Sequence, residues 1–299
     1  MADRSAVRTE VQRLDGARAT SRLDELAVEE PLEIQLTHGP GDARVTRSIS
    51  VTMRTPGADR ELALGFLFTE GILQSPDQLE PESGPERTQP ANVVHLTIRP
   101  EVPLDLARLE RHFYTSSSCG VCGKASVAAL AMARQVMLDA TRPSVDVATL
   151  HGLPDILRAA QPVFGRTGGL HAAALFDPDG TLVDLREDVG RHNAVDKLVG
   201  ARFLARALPL RDHVLLVSGR ASYELLQKTL MAGIPVFAAV GAPSSLAVDV
   251  ARAYGLTLVG FLRDGHFNVY SGAQRLRGVH PTGAAEAPAL VAAVSNSGG

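Results

Sequence analysis

The sequence has no tryptophan, and its aromatic residues amount to only 4% of 299. With a formal net charge of −3, this leaves neither the stacking platforms nor the basic surface that nucleic-acid binding uses. Long apolar runs are missing too. "ASVAALAMA", among the most apolar stretches, is too short to span a bilayer. The charged opening "MADRSAVRTEVQRLDGARATSRLDELAVEE" lacks the apolar core of a signal peptide. These absences predict a cytoplasmic protein with no membrane and no nucleic-acid partner. Cysteine is nearly absent, so a disulfide framework is excluded, and a close pair of thiols in a reducing compartment points to reactivity or metal binding.

What is present is the balance of a globular chain: 45% hydrophobic and 21% charged residues, enough for one large domain or two ordinary ones. Residues 1–22 show no sustained period and read as a flexible leader. "PLEIQL", "RSISVTM" and "NVVHLTI" alternate as half-buried strands do, and with the helix "DRELALGFLFTEGIL" they make a smaller β-rich N-terminal domain, 23–110. Asp59 is the candidate cap of that helix and Gly71 its stop. "QSPDQLEPESGPERTQPAN" is an exposed loop. From "LHAAALFDPDGTLVDLRED", a hairpin turning at Asp177 to Gly180, the chain settles into strand–loop–helix repeats, which predict an α/β layered core with a mixed sheet over 111–280. The Ala-, Gly- and Ser-rich residues 281–299 read as a flexible tail.

Both cysteines stand in "HFYTSSSCGVCGK", on a Gly- and Ser-rich loop before the helix pattern "KASVAALAM". A structural zinc site needs four ligands, and no second pair exists to close it. A catalytic zinc site could join His171 to Cys119 and Cys122, but the acid/base Glu that deaminases place two residues after the His is here Ala173. A thioredoxin-like switch lacks its usual aromatic–Gly–Pro setting, and two incidental buried thiols would be poorly placed in such a loop. Sulfur transfer fits: an accessible Cys119 would hold a sulfane sulfur as a persulfide, Cys122 would resolve or relay it, and Lys124 with the following helix start would favour the thiolate.

Three successive strand ends suggest a guest. "VSGRAS" places Ser218, Gly219 and Arg220 between a strand and a helix; "AVGAPSS" places Gly241 to Ser245, including Ser244, in the equivalent position; "FLRDGH" ends the next strand. Ligands of open α/β sheets collect beyond such ends, and arginines beside helix starts suit phosphates. Gly and Ser there are also what a plain turn uses. "REDVGRHNAVDK" reads either as an ion-paired helix start, with Asp188 as its cap, or as a polar wall of the same site.

Together, "SSSCGVCGK", "GGLHAAAL", "EDVGRHNAVDK", "SGRASYELLQK", "AGIPVFAAVGAPSSLAVDVA" and "GFLRDGHFNVYS" resemble the formate dehydrogenase accessory sulfurtransferase family, FdhD, over about residues 32–271. The resemblance implies a cytidine-deaminase-like core. It implies that sulfur from a cysteine desulfurase passes, through a persulfide on Cys119 with Cys122 as partner, to Mo-bis(molybdopterin guanine dinucleotide), a bound substrate destined for formate dehydrogenase. No catalytic metal of the protein's own is implied. Phe261, Leu262, Arg263, Asp264, Gly265 and His266 match the family's cofactor-binding segment, and a homodimer is expected. A cofactor-binding chaperone that moves no sulfur is the alternative.

Overall fold

The structure, a computed structural model, describes residues 4–81, 91–103 and 138–279. Its centre is a six-stranded sheet in the order β12-β11-β10-β9-β7-β8. The strands are β7 (His171–Phe176), β8 (Leu182–Asp188), β9 (Val214–Val217), β10 (Val236–Ala239), β11 (Thr257–Arg263) and β12 (His266–Ser271). β9, β10 and β11 run parallel; β7, β8 and β12 are antiparallel to their neighbours. The parallel strands are short, continuous apolar runs because helices cover both faces. Leu215, Val217, Phe237 and Ala239 point into one core with Leu198 of α4 (Arg191–Leu204), Leu226 of α5 (Tyr223–Met231) and Val250 of α6 (Ser245–Ala253). Val214, Leu216, Val236 and Ala238 point into the other, against Leu150, Leu153 and Leu157 of α2 (Val147–Ala159). A short α3 (Pro162–Thr167) ends on Gly168, whose left-handed φ of 65° closes it.

A second sheet, β4-β3-β5, joins β3 (Glu30–His38), β4 (Val45–Arg54) and β5 (Val93–Thr97). The alternation of β3 is complete: Leu32, Ile34 and Leu36 are buried. Helix α1 (Asp59–Thr69) covers this sheet with Leu64 and Leu67 and then packs on α4. The two helices touch backbone to backbone. A Cβ on Gly65 would fall 1.8 Å from the Asp196 carbonyl, and one on Gly200 would fall 1.8 Å from that of Glu61. Two small residues at the crossing therefore set the spacing of the whole seam.

Three expectations are corrected. Residues 1–22, read as a flexible leader, hold β1 (Ala6–Asp15) and much of β2 (Arg18–Ala27), an antiparallel hairpin in unbroken register. Most of its side chains are exposed, so no apolar period marks it. Asp59 does not cap α1. Ala58 occupies that position at φ 54°, with no side-chain cap, while the Asp59 carboxylate binds the buried Arg54 guanidinium at 2.9 Å. Gly71 does lie just past the helix end, at φ 73°. Asp188 is likewise no cap, because Gly190 occupies the N-cap position of α4. The hairpin turning at Asp177–Gly180 forms as expected, its Asp177 carboxylate accepting from the Asp179 and Thr181 N–H groups.

Candidate functional site

The parallel strands end on one side of the sheet, and antiparallel β7 begins there. Four segments consequently converge: His171 at the start of β7, Ser218–Arg220 after β9, Val240–Gly241 after β10, and Arg263 at the end of β11. Backbone hydrogen bonds lace them together. Ser218 N–H donates to the Ala172 carbonyl at 3.0 Å, and the Ser218 hydroxyl accepts from Ala172 N–H at 2.9 Å. Gly241 N–H donates to Gly219 at 2.9 Å, and Phe261 N–H to Gly241 at 3.1 Å.

These segments, with Arg191 at the first turn of α4, enclose a cavity of about 330 Å³ lined by His171, Arg191, Ser218, Gly219, Arg220, Val240, Gly241 and Arg263. Three of the eight are arginines and none is acidic. The Arg191 Nε is buried and meets no hydrogen-bond acceptor among the described residues. An unmet buried donor is costly and calls for an acceptor. His171 is pushed below the ordinary histidine range, first by burial and then by Arg191 and His192, against the opposite pull of Asp188. It is therefore a neutral imidazole at neutral pH, beside three permanent cations. The volume lies at the lower end of ligand pockets, which run from about 300 Å³ upward. This arrangement binds an anion with several hydrogen-bond acceptors and is hostile to a metal cation.

Of the residues singled out in the sequence, Ser218, Gly219, Arg220 and Arg263 line the cavity. Ser244 does not; it is exposed and caps α6, its hydroxyl accepting from Ala247 N–H at 3.2 Å. In "FLRDGH", Leu262 is core. Asp264 and Gly265 form the left-handed tip of the β11–β12 turn, and His266 is exposed, its ring next to the Asp264 carbonyl. Phe261 takes φ 56° where the ladder shifts register, with the Arg263 guanidinium 6.0 Å from its ring centre. Cys119, Cys122 and Lys124 lie outside the described residues.

"EDVGRHNAVDK" serves two ends at once. Arg191 faces the cavity, as the polar-wall reading requires. Asp188, Asp196 and Lys197 are consumed inside the seam, while Glu187 accepts from the Val163 and Phe164 N–H groups at the start of α3 and His192 faces Ser222. Asp188, fully buried, accepts from Lys197 Nζ at 2.7 Å, Gly190 N–H at 2.8 Å, Asn193 Nδ2 at 3.0 Å and Thr55 N–H at 3.2 Å. Asp196 pairs with Lys228 at 2.9 Å and accepts from Thr69 at 2.9 Å. Spacing alone did not mark Arg191 or Val240. The signal for Arg191 was available, since an Arg at the first helical position adds a repulsive cation where the helix dipole is positive.

The FdhD/NarQ family matches residues 27–277. The sulfur carrier protein FdhD of Streptomyces avermitilis is 52% identical over 275 residues, 90% of this chain and 95% of that one. The protein of the same name from Mycolicibacterium paratuberculosis is 50% identical over 274 residues, 90% of this chain and 98% of its own. A crystal structure of a putative formate dehydrogenase accessory protein from Desulfotalea psychrophila is similar in fold, with a TM-score of 0.68 at 22% identity, covering 91% of this chain and 99% of that one. The chain belongs to the FdhD/NarQ family.

Proposed function

We propose that this FdhD/NarQ protein is a cytoplasmic sulfurtransferase that carries sulfur from a cysteine desulfurase to Mo-bis(molybdopterin guanine dinucleotide) bound for formate dehydrogenase. The observation that carries the cofactor half of this reading is the arginine-walled cavity. An Arg191 Nε with no acceptor among the described residues, and three guanidiniums, suit a phosphate-bearing guest, and the volume suits one nucleotide end of so long a molecule. The same proposal takes in a homodimer, and a deaminase-like layering for which the helices on both faces of the mixed sheet speak.

The sulfur half rests on Cys119 and Cys122. The Cys119 thiolate attacks the outer sulfur of the donor's persulfide, the donor's S–S bond breaks, and the donor thiolate leaves. The Cys122 thiolate then attacks the inner sulfur of the Cys119 persulfide. The outer sulfur departs as hydrosulfide toward the cofactor, the two thiols having supplied its two electrons, and a cellular dithiol reduces the resulting Cys119–Cys122 disulfide. Lys124 helps hold Cys119 as the thiolate. In cells lacking the native protein, Cys119→Ala is expected to restore no formate dehydrogenase activity while remaining soluble. Full restoration would instead make the chain a cofactor chaperone that moves no sulfur.

A further inference from the structure

Two of the cavity's arginines come from the starts of two different helices. Arg191 opens α4, and Arg220 stands just before Ser222, the N-cap of α5. Two side-chain rungs join these helices. The lower is Asp196 to Lys228, 2.9 Å apart and buried. The upper lies one turn nearer the cavity, four residues earlier on each helix. There His192 Nε2 is 3.8 Å from the Glu224 carboxylate and 3.3 Å from the Ser222 hydroxyl. Ser222 is of the type that caps helices, yet its hydroxyl makes no cap bond and stays beside His192. The polarity is reversed between the rungs: acid on α4 and base on α5 below, base on α4 and acid on α5 above. The upper base is an imidazole, the side chain whose charge changes around neutrality.

The lower rung already fastens the two helices, so the upper one is not needed to dock them. Among the described residues, His192 is faced by Ser222 and Glu224 from α5 and by His171 from β7, and Arg191 precedes it on α4. A proton on His192 adds a cation beside Arg191 at the positive end of α4, and Glu224 is the group that answers it. His192 holds the Glu224 carboxyl down to about 2 against its burial, helped by the backbone and the Ser222 hydroxyl. Glu224 is therefore ionised wherever an imidazole titrates, and the proton on His192 makes or breaks the ion pair. We propose that His192 and Glu224 are positioning residues, a proton-dependent rung that holds Arg191 and Arg220 at the spacing that grips an anionic guest and lets them part when His192 is neutral. The inference rests on the anion reading of the cavity given above.

The probe is guanosine diphosphate mannose, a pyrophosphate diester whose charge is constant around neutrality, titrated calorimetrically into the full chain. The parent should bind it about tenfold more tightly at about pH 6 than at about pH 8. His192→Gln should bind with the parent's weaker affinity at both. His171→Gln should keep the pH dependence, because burial holds that imidazole below the ordinary range. Glu224→Gln is the sharper variant. Removing a carboxylate beside an anion site tightens binding by charge alone, whereas loss of the rung should weaken it about tenfold at the acid pH. His192→Glu combined with Glu224→Lys rebuilds the rung with the polarity of the lower one and should bind tightly at both pH values. The inference is overturned if His192→Gln keeps the parent's pH dependence or His171→Gln abolishes it. It is also overturned if Glu224→Gln binds more tightly than the parent, or if the exchanged pair binds no better than the single variants. A parent that binds the probe at neither pH removes the anion reading and this inference with it; binding without the expected pH pattern sinks the inference alone.

Discussion

The seam between α1 and α4 and the cavity at the strand ends draw on the same residue types, glycine, arginine or lysine, and carboxylate, and use them in opposite ways. In the seam every charge is answered. Asp188 has four donors and Lys197 has a carboxylate and two carbonyls. Burial pulls Lys228 down, but Asp196 and Glu70 outweigh it and hold its ammonium above the ordinary lysine value. Gly65 and Gly200 are there because two backbones touch. In the cavity, cations face cations, and among the described residues one buried donor is unmet and a glycine leaves space that no side chain fills. Satisfied polar groups specify the fold; unsatisfied ones around a hollow mark where something else binds.

Substitutions on the two sides should therefore separate stability from binding. The largest loss is expected from Lys197→Met, which leaves Asp188 buried without its cation and should cost about 3–5 kcal/mol in urea unfolding. A smaller loss would mean that the seam is wetter than its burial indicates. Gly200→Ala comes next: its methyl would press on the Glu61 backbone and should cost about 3 kcal/mol by the same measurement.

His171 gives a subtler contrast. Its folded pKa is depressed, so as pH falls through its unfolded value, about 6.5, the unfolded chain takes up the proton first and stability declines. His171→Gln should flatten that part of the stability–pH curve relative to the parent; parallel curves would contradict the buried neutral imidazole. Smallest of all, Arg263→Gln should shift unfolding by less than about 0.5 kcal/mol, because the side chain is exposed and away from the core. A cavity arginine whose loss unfolded the chain would erase the distinction between the two regions.

Much of this was legible beforehand because local patterns carried it. The alternation in "PLEIQL", the apolar run "VLLV", the turn at Asp177–Gly180 and the pairing of "HFNVYS" back onto "LTLVGFL" are short-range signals that the packing preserved. The hairpin of residues 6–27 was not legible, because with little to bury it shows no apolar period. The division of labour inside "EDVGRHNAVDK" was hidden for a different reason. Whether a charged residue points into the seam or the cavity depends on helix phase against α1, a partner more than a hundred residues away in sequence. Ser218, Gly219, Arg220 and Arg263 were found because strand-end position predicts them; Ser244 shares that position and turned out to cap a helix.

The central claim concerns a sulfur atom on Cys119, and peptide mass spectrometry reads it directly. The purified chain, incubated with a cysteine desulfurase and cysteine under non-reducing conditions, is expected to show one added sulfur on the Cys119 peptide, removable by dithiothreitol and absent from Cys119→Ala. A Cys119 peptide that stays unmodified while the desulfurase turns over would contradict the account.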